Sequence, residues 1–101
     1  MHDRSELQSK LESMLGSKHV YYQPPDQVKM EYPAIRYSKK SPDIRYAGNK
    51  KYLKFNCYEI IVISKKPDEP VIGMIEDLPM CEWNNHYVSD NLNHDVLTIF
   101  Y

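Results

Sequence analysis

Four residues near the end of this chain have the types and spacing of an acid–base or metal site: His86, Asp90, His94 and Asp95. Imidazoles beside carboxylates can share a divalent ion or relay a proton, the chemistry of a small metal-dependent nuclease. The same stretch reads as a connection. Asp and Asn side chains bond backbone groups two residues on, so Ser89–Asp95 has the composition of a turn. Its members are Asp90, Asn91, Leu92, Asn93, His94 and Asp95, with Leu92 expected to tuck into the core and pin it. Apolar segments on both sides demand a turn at this place in any case, and that reading is preferred. No catalytic or metal-binding residue is therefore expected.

Other chemistry finds little support. His86 and His94 lie eight apart, and neither Cys57 nor Cys81 has a close partner, so the spacing of a zinc site is missing. No phosphate-binding loop, nucleophile elbow or His-Glu-x-x-His occurs. With only three glycines, Gly16, Gly48 and Gly73, no loop can cradle phosphate, and no cofactor is expected.

The elements that must position these residues follow from periodicity. Asp3 with Glu6, and Ser5 with Gln8, fit capping boxes; Leu7, Leu11, Met14 and Leu15 make one helical stripe, ended by Gly16. HVYYQ at 19–23 reads as a short strand stopped by Pro24-Pro25. Tyr32–Tyr37 reads as a second, with Pro33 at its first residues. Residues 52–64, YLKFNCYEIIVIS, form the longest strand. Leu53, Phe55, Cys57, Ile61 and Ile63 share one face with Glu59, and Tyr52, Tyr58, Ile60 and Val62 share the other. The EIIVI end is apolar on both sides, as in the middle of a sheet covered on both faces. Pro70 suits the first turn of a helix carrying Val71, Ile72, Ile75 and Leu78, stopped by Pro79. Strands over 80–88 and 96–101 follow. In the first, Cys81, Trp83 and Tyr87 alternate with Glu82, Asn84 and His86. VLTIFY must be ordered by pairing, beside 52–64 or in a hairpin with 80–88, since an unpaired run of that kind aggregates. The order is α-β-β-β-α-β-β: a single α+β domain over 1–101, with two helices and a mostly antiparallel sheet of four or five strands.

Residues 38–51, SKKSPDIRYAGNKK, fit neither period. They carry Lys39, Lys40, Arg45, Lys50 and Lys51 against Asp43, with a turn signal at Ala47-Gly48-Asn49. An extended basic hairpin arm is expected, and with Tyr46 it forms a candidate contact surface. Loops of this length are uncommon in small domains unless functional or mobile.

Charge is divided along the chain although its net value is −1. Residues 1–66 hold all 13 Lys and Arg against seven acids. Residues 67–101 hold Asp68, Glu69, Glu76, Asp77, Glu82, Asp90 and Asp95 with no Lys or Arg. Either the two parts neutralise each other within the fold or they make two faces of contrary sign, which suit head-to-tail contact between copies. Asp68, Glu69, Glu76, Asp77 and Glu82 are the candidate complement to the basic arm. Nine tyrosines are too many for the core of a 101-residue domain, and tyrosine is enriched where proteins meet. A basic arm bearing Tyr46 could also touch nucleic acid, although net charge disfavours a dedicated nucleic-acid-binding module. No apolar run approaches the ~18–20 residues of a membrane span, so no membrane partner is expected. MHDRSELQSK has no apolar core, so no leader is expected, and the two cysteines read as reduced, buried thiols.

Several short motifs carry a likeness. Tyr32-Pro33-Ala34-Ile35 with Tyr37, Ala47 to Tyr52 before a long strand, Leu78-Pro79-Met80, His86-Tyr87, and Asp90-Asn91-Leu92-Asn93-His94-Asp95 before Thr98-Ile99-Phe100-Tyr101 occur in that order. From about residue 19 to 101 the chain resembles the tail terminator, or tail completion, proteins of tailed bacteriophages, which are encoded with neck and tail genes. Head-closure and other neck proteins of similar size are alternatives. The resemblance implies a structural, non-enzymatic virion protein forming a hexameric ring on the tail tube. Its partners would be copies of itself, the tail tube protein, the head-closure or connector protein and, through the arm, DNA in the lumen. It would reside in the host cytoplasm during assembly and in the phage neck afterwards.

Overall fold

A computed structural model describes residues 4–24, 29–40 and 57–101, and the backbone of 46–47 and 50–51. The elements run α1 (Arg4–Leu15), β1 (Val20–Tyr22), β2 (Ala34–Lys40), β3 (Tyr46–Ala47), β4 (Lys50–Lys51), β5 (Cys57–Ser64), α2 (Pro70–Glu76), β6 (Cys81–Ser89) and β7 (Leu92–Phe100). Five strands form one sheet in the order β1-β2-β5-β7-β6, and β3 pairs with β4 separately. The architecture is α+β, as the periodicity predicts. Every pair in the main sheet is antiparallel except β1 with β2, which is parallel.

Both helices lie on one face of the sheet because each has one apolar stripe to bury. Leu7 and Leu11 of α1 and Val71 and Ile75 of α2 are buried. They meet Ile35 and Tyr37 of β2, Tyr58, Ile60 and Val62 of β5, and Leu97 and Ile99 of β7 in one apolar cluster. Gly16 ends α1 at φ 79°, where its N–H donates to the Glu12 carbonyl at 2.9 Å. That left-handed position is costly for any residue with a Cβ. Gln8 fixes α1 to the sheet: its Nε2 donates to the Val20 carbonyl at 3.0 Å, and its Oε1 accepts from the Tyr37 hydroxyl. Helix α2 opens on Pro70, as its fixed φ allows.

The faces of β5 are those read from the sequence. Ile60 and Val62 point to the helices, while Cys57, Glu59, Ile61 and Ile63 point away. Residues 52–56, the first part of the expected strand, lie outside the described residues, as does the Asp3 half of the first capping box.

Three expectations need correction. First, the turn before the last strand is shorter than Ser89–Asp95. The chain reverses at Asp90 and Asn91 alone, with φ of 52° and 63°, and Leu92, Asn93, His94 and Asp95 already belong to β7. Two consecutive left-handed residues make the tight reversal whose twist matches a hairpin, and Asp and Asn tolerate that conformation. Second, the arm starts later than residue 38: Ser38, Lys39 and Lys40 pair with Glu59, Tyr58 and Cys57 in the main sheet. Third, a bulge lies between Trp83 and Asn85. An extra residue reverses the alternation, so Trp83 and Tyr87 stand on opposite faces rather than on one.

Candidate interaction surface

The sheet ends in two unlike edges. At one, β1 is three residues long and β2 runs past it to Lys40. At the other, β6 is nine residues long and only Cys81, its first residue, is half-buried; 82–89 are all exposed. α2 packs over Cys81 and its neighbours, but no helix shelters the rest of β6. Met80 (49% exposed), Trp83 (42%), Tyr87 (42%) and Val88 (62%) therefore form an uncovered apolar and aromatic border. An edge strand also carries a row of unpaired N–H and C=O groups, which is a template for another chain. Natural edges are commonly blunted with lysine or proline, which β6 lacks, or with a bulge, which it has between Trp83 and Asn85.

The side chains of this edge are held in place. Trp83 Nε1 donates to Oδ1 of buried Asp95 at 3.2 Å. His86 Nε2 and Asn93 Oδ1 are 3.0 Å apart, and Asn84 donates to the Thr98 hydroxyl at 2.7 Å. On the face away from the helices, Tyr87 and His94 stack with centroids 4.7 Å apart and an interplanar angle of 9°. His94 Nδ1 lies 3.0 Å from the Leu92 carbonyl and so carries the proton there. A surface whose rotamers are already fixed loses less entropy when a partner arrives.

These bonds also decide how the four candidate metal or acid–base residues are arranged. His94 and Asp95 are consecutive on β7, so they point to opposite faces. His86 sits opposite Asp95 in the register but is turned to Asn93, Asp95 is held by Trp83, and Asp90 is in the turn. The four do not converge, and no group of three potential ligands occurs among the described residues. A recess of about 220 Å³, lined by Lys10, Leu78, Met80 and Tyr101 among others, is mainly apolar, and Lys10 Nζ stands 5.2 Å from the Tyr101 ring centroid.

Charge divides across the width of the sheet. The described part of α1, β1, β2 and their connections carries Arg4, Lys10, Lys18, Lys29, Arg36, Lys39 and Lys40 against Glu6, Glu12 and Glu31. From Pro67 onward, the approach to α2, α2 itself, β6, β7 and their connections carry the seven acids and no Lys or Arg, and Lys65 and Lys66 directly precede them after β5. Five strands spaced about 4.8 Å apart separate the two edges by roughly 19 Å. The Debye length is ~8 Å at physiological ionic strength, so charges on the two edges are screened from each other. The two edge strands therefore do not neutralise each other, whereas Lys65 and Lys66 lie in the same connection as Asp68 and Glu69, and α1 packs on α2. The ion pair Lys40–Glu59 (3.5 Å) and the His19–Glu31 contact (3.2 Å), charged only when the imidazole is protonated, lie outside the acidic half. Among the described residues no cation pairs with any of the seven acids.

Within that half the acids form two groups. Asp68 and Glu69 follow β5 at one end of the sheet, where Glu69 accepts from the Ser64 hydroxyl at 3.2 Å. Glu76 and Asp77 close α2 beside the start of β6, next to Glu82 at the other end. Glu76 also acts on Cys81: burial first, and this carboxylate second, push the thiol up to about 11. Of the basic set, Lys39 and Lys40 are exposed at the end of β2, and the backbone of Tyr46, Lys50 and Lys51 is in β3 and β4. Arg45 lies outside the described residues.

The tyrosines divide too. Tyr37, Tyr58 and Tyr101 are buried, Tyr21, Tyr22 and Tyr32 are half-buried, and Tyr87 is exposed. Tyr22, Tyr37 and Tyr58 pack ring to ring, with centroids 5.0 to 6.5 Å apart, and the Arg4 guanidinium lies 4.2 Å over Tyr22. Burial raises the Tyr37 phenol, and its hydrogen bond from Arg4 opposes the rise. These rings are part of how α1 is seated, a structural use that composition alone did not separate from an interface. Sequence reasoning missed the β6 border. The available signal was the Asn84-Asn85 doublet, which interrupts the alternation and leaves Tyr87 and Val88 adjacent.

No family model, curated protein or solved structure matches the chain.

Proposed function

We propose that this chain is a structural phage protein that assembles with its own copies into a ring, in the manner of the tail terminators its motifs resemble. In that role it sits at the head-proximal end of the tail tube, ends the tail and joins it to the head connector. The observation that carries this reading is the unlike charge of the two edges of one sheet: Lys39 and Lys40 are exposed at the end of β2, Glu82 is on β6 with Glu76 and Asp77 just before it, and no ion pair joins the two sets among the described residues. Unlike edges favour a heterologous contact, in which one copy's acidic side meets the next copy's basic side. Such contacts propagate around a ring when the rotation closes. The β3–β4 arm is left for the tube, a neighbouring copy or DNA in the lumen.

Mass measurement across a concentration series tests the reading. A discrete multimer at low salt, dissociating as salt is raised, is the expected result, because complementary surface charge weakens with screening. A monomer at every concentration and salt overturns it. Addition of the protein to polymerising tail tube subunits should cap the tubes; tubes that grow unaltered would count against the assignment to the tail.

A further inference from the structure

The register across the sheet says which parts of the two edges stand at one level. Val20, Tyr21 and Tyr22 of β1 lie beside Ile35, Arg36 and Tyr37 of β2. Those rows run on through β5 and β7 to His86, Asn85 and Trp83, so the two outermost strands are level with each other. We infer that a second copy of this chain sets its β1, with the flank of its α1, along β6. Successive copies are turned about an axis along the strands, with no shift between them. Rotation without a shift closes a ring, where a shift would make a helical filament. This inference rests on the ring reading above and names its contact.

Three features fit that occupant. The first is space: beyond Cys81 no helix shelters β6, and Trp83, His86 and Val88 are left uncovered on its helix side. The second is what arrives there. Arg4, Gln8 and Glu12 line the flank of α1 over β1: the Arg4 guanidinium lies over the Tyr22 ring, and Gln8 Nε2 donates to the Val20 carbonyl and to Glu12. At a common level Tyr22 and Arg4 meet Trp83, and Gln8 and Glu12 meet His86. Large aromatic and arginine anchors of this kind dominate contacts between proteins. Val20 is buried and its carbonyl is taken by Gln8, so the two sheets abut through side chains and do not continue as one ladder. The third is charge, which is opposite at both ends. Lys18, exposed just before β1, comes to the turn end of β6, where Asp90 is exposed. At the other end β2 runs past β1. There Lys39 is level with Cys81 on the helix side, near Glu76 and Asp77 at the close of α2, and Lys40 is on the opposite face, the face of Glu82.

Carbodiimide coupling of amines to carboxylates tests the contact on the unaltered chain. An equal mixture of isotope-labelled and unlabelled protein, assembled at low salt, identifies links between copies. The expected links join Lys18 to Asp90 and Lys39 to Glu76 or Asp77, and they vanish at high salt. Trp83 is the single tryptophan, so its emission reports on this edge directly, and it should shift to the blue with reduced acrylamide quenching on assembly. Lys18→Glu and Lys39→Glu alter exposed side chains and should leave the circular dichroism unchanged. Each should raise the concentration for half-assembly roughly tenfold. Lys65→Glu changes the net charge equally, at the exit of the middle strand, and should leave assembly as it is. Copies linked through other residues only, with Trp83 emission unmoved, overturn this contact and leave the ring standing. A chain that is monomeric throughout overturns both.

Discussion

β6 and β7 are nine residues each and face one another across a two-residue turn, yet 82–89 are exposed throughout while Asp95, Val96, Leu97 and Ile99 are buried. β7 lies between β5 and β6, so its backbone is paired on both sides and its apolar residues have strands to either side of them. β6 has one neighbour. The difference comes from position in the sheet more than from composition, since β6 too carries a tryptophan, a tyrosine and a valine. Burial has been spent on β7 for stability, and β6 keeps its apolar groups at the surface, where a partner can use them.

Substitutions on the two strands of the hairpin should separate these roles. Leu97→Ala, at a fully buried site, should lower the unfolding free energy by about 2–5 kcal/mol in urea titration, while Val88→Ala stays within about 0.5 kcal/mol. Equal losses at the two positions would break the comparison. Trp83→Phe sits between these limits. It removes the donor to a buried carboxylate and should cost about 1–3 kcal/mol, and adding Asp95→Leu to it should give less than the sum of the two single changes. Additive losses would mean the bond contributes nothing. The turn should matter less still: Asn91→Val forces a β-branched side chain to φ 63° and should cost about 1–2 kcal/mol, whereas Asn91→Gly should be nearly neutral.

The smallest effect at neutral pH concerns Cys81, where β6 passes under α2. Its thiol is raised from 9.0 to about 11 in the fold, so the neutral form is favoured there. The associated stability is complete below pH 9 and is lost as pH rises from 9 towards 11. Cys81→Ala should flatten the stability profile in that window, and at pH 7 its only cost should be the packing of one half-buried sulfur. Alkylation of Cys81 at pH 8 should be roughly 100-fold slower than that of an unperturbed thiol, in proportion to its thiolate fraction. Reaction at the ordinary rate would place Cys81 in the open with the rest of the strand.

The element order was legible in the sequence because two helical stripes and the two-sided run in 57–64 each report their own burial. The stripe Leu7, Leu11, Met14, Leu15 needs no knowledge of its partner to be read. The division of charge was legible as well, but its meaning was not. Whether opposite charges meet inside a fold or stand on far edges depends on strand order, and strand order is a long-range property. The parallel β1–β2 pair was hidden for the same reason. The turn was read too long because Asn93, His94 and Asp95 are polar. Their polarity is satisfied within the hairpin, by His86, the Leu92 carbonyl and Trp83, so they pair as strand residues. The β6 border escaped notice because an exposed edge and a one-sided buried strand share the same alternation.

The single extra residue between Trp83 and Asn85 makes β6 tolerant of a change that most strands could not absorb. Trp83 opposite Leu97 and Asn85 opposite Val96 are already successive steps of the ladder, so excision of Asn84 would join them into a regular strand and leave every side chain from 85 to 89 on its present face. The stack of Tyr87 on His94 would survive, and the hydrogen bond from the Asn84 amide to the Thr98 hydroxyl would go. Variants of this chain that differ in length should therefore lose one asparagine of this doublet more readily than any other residue of β6.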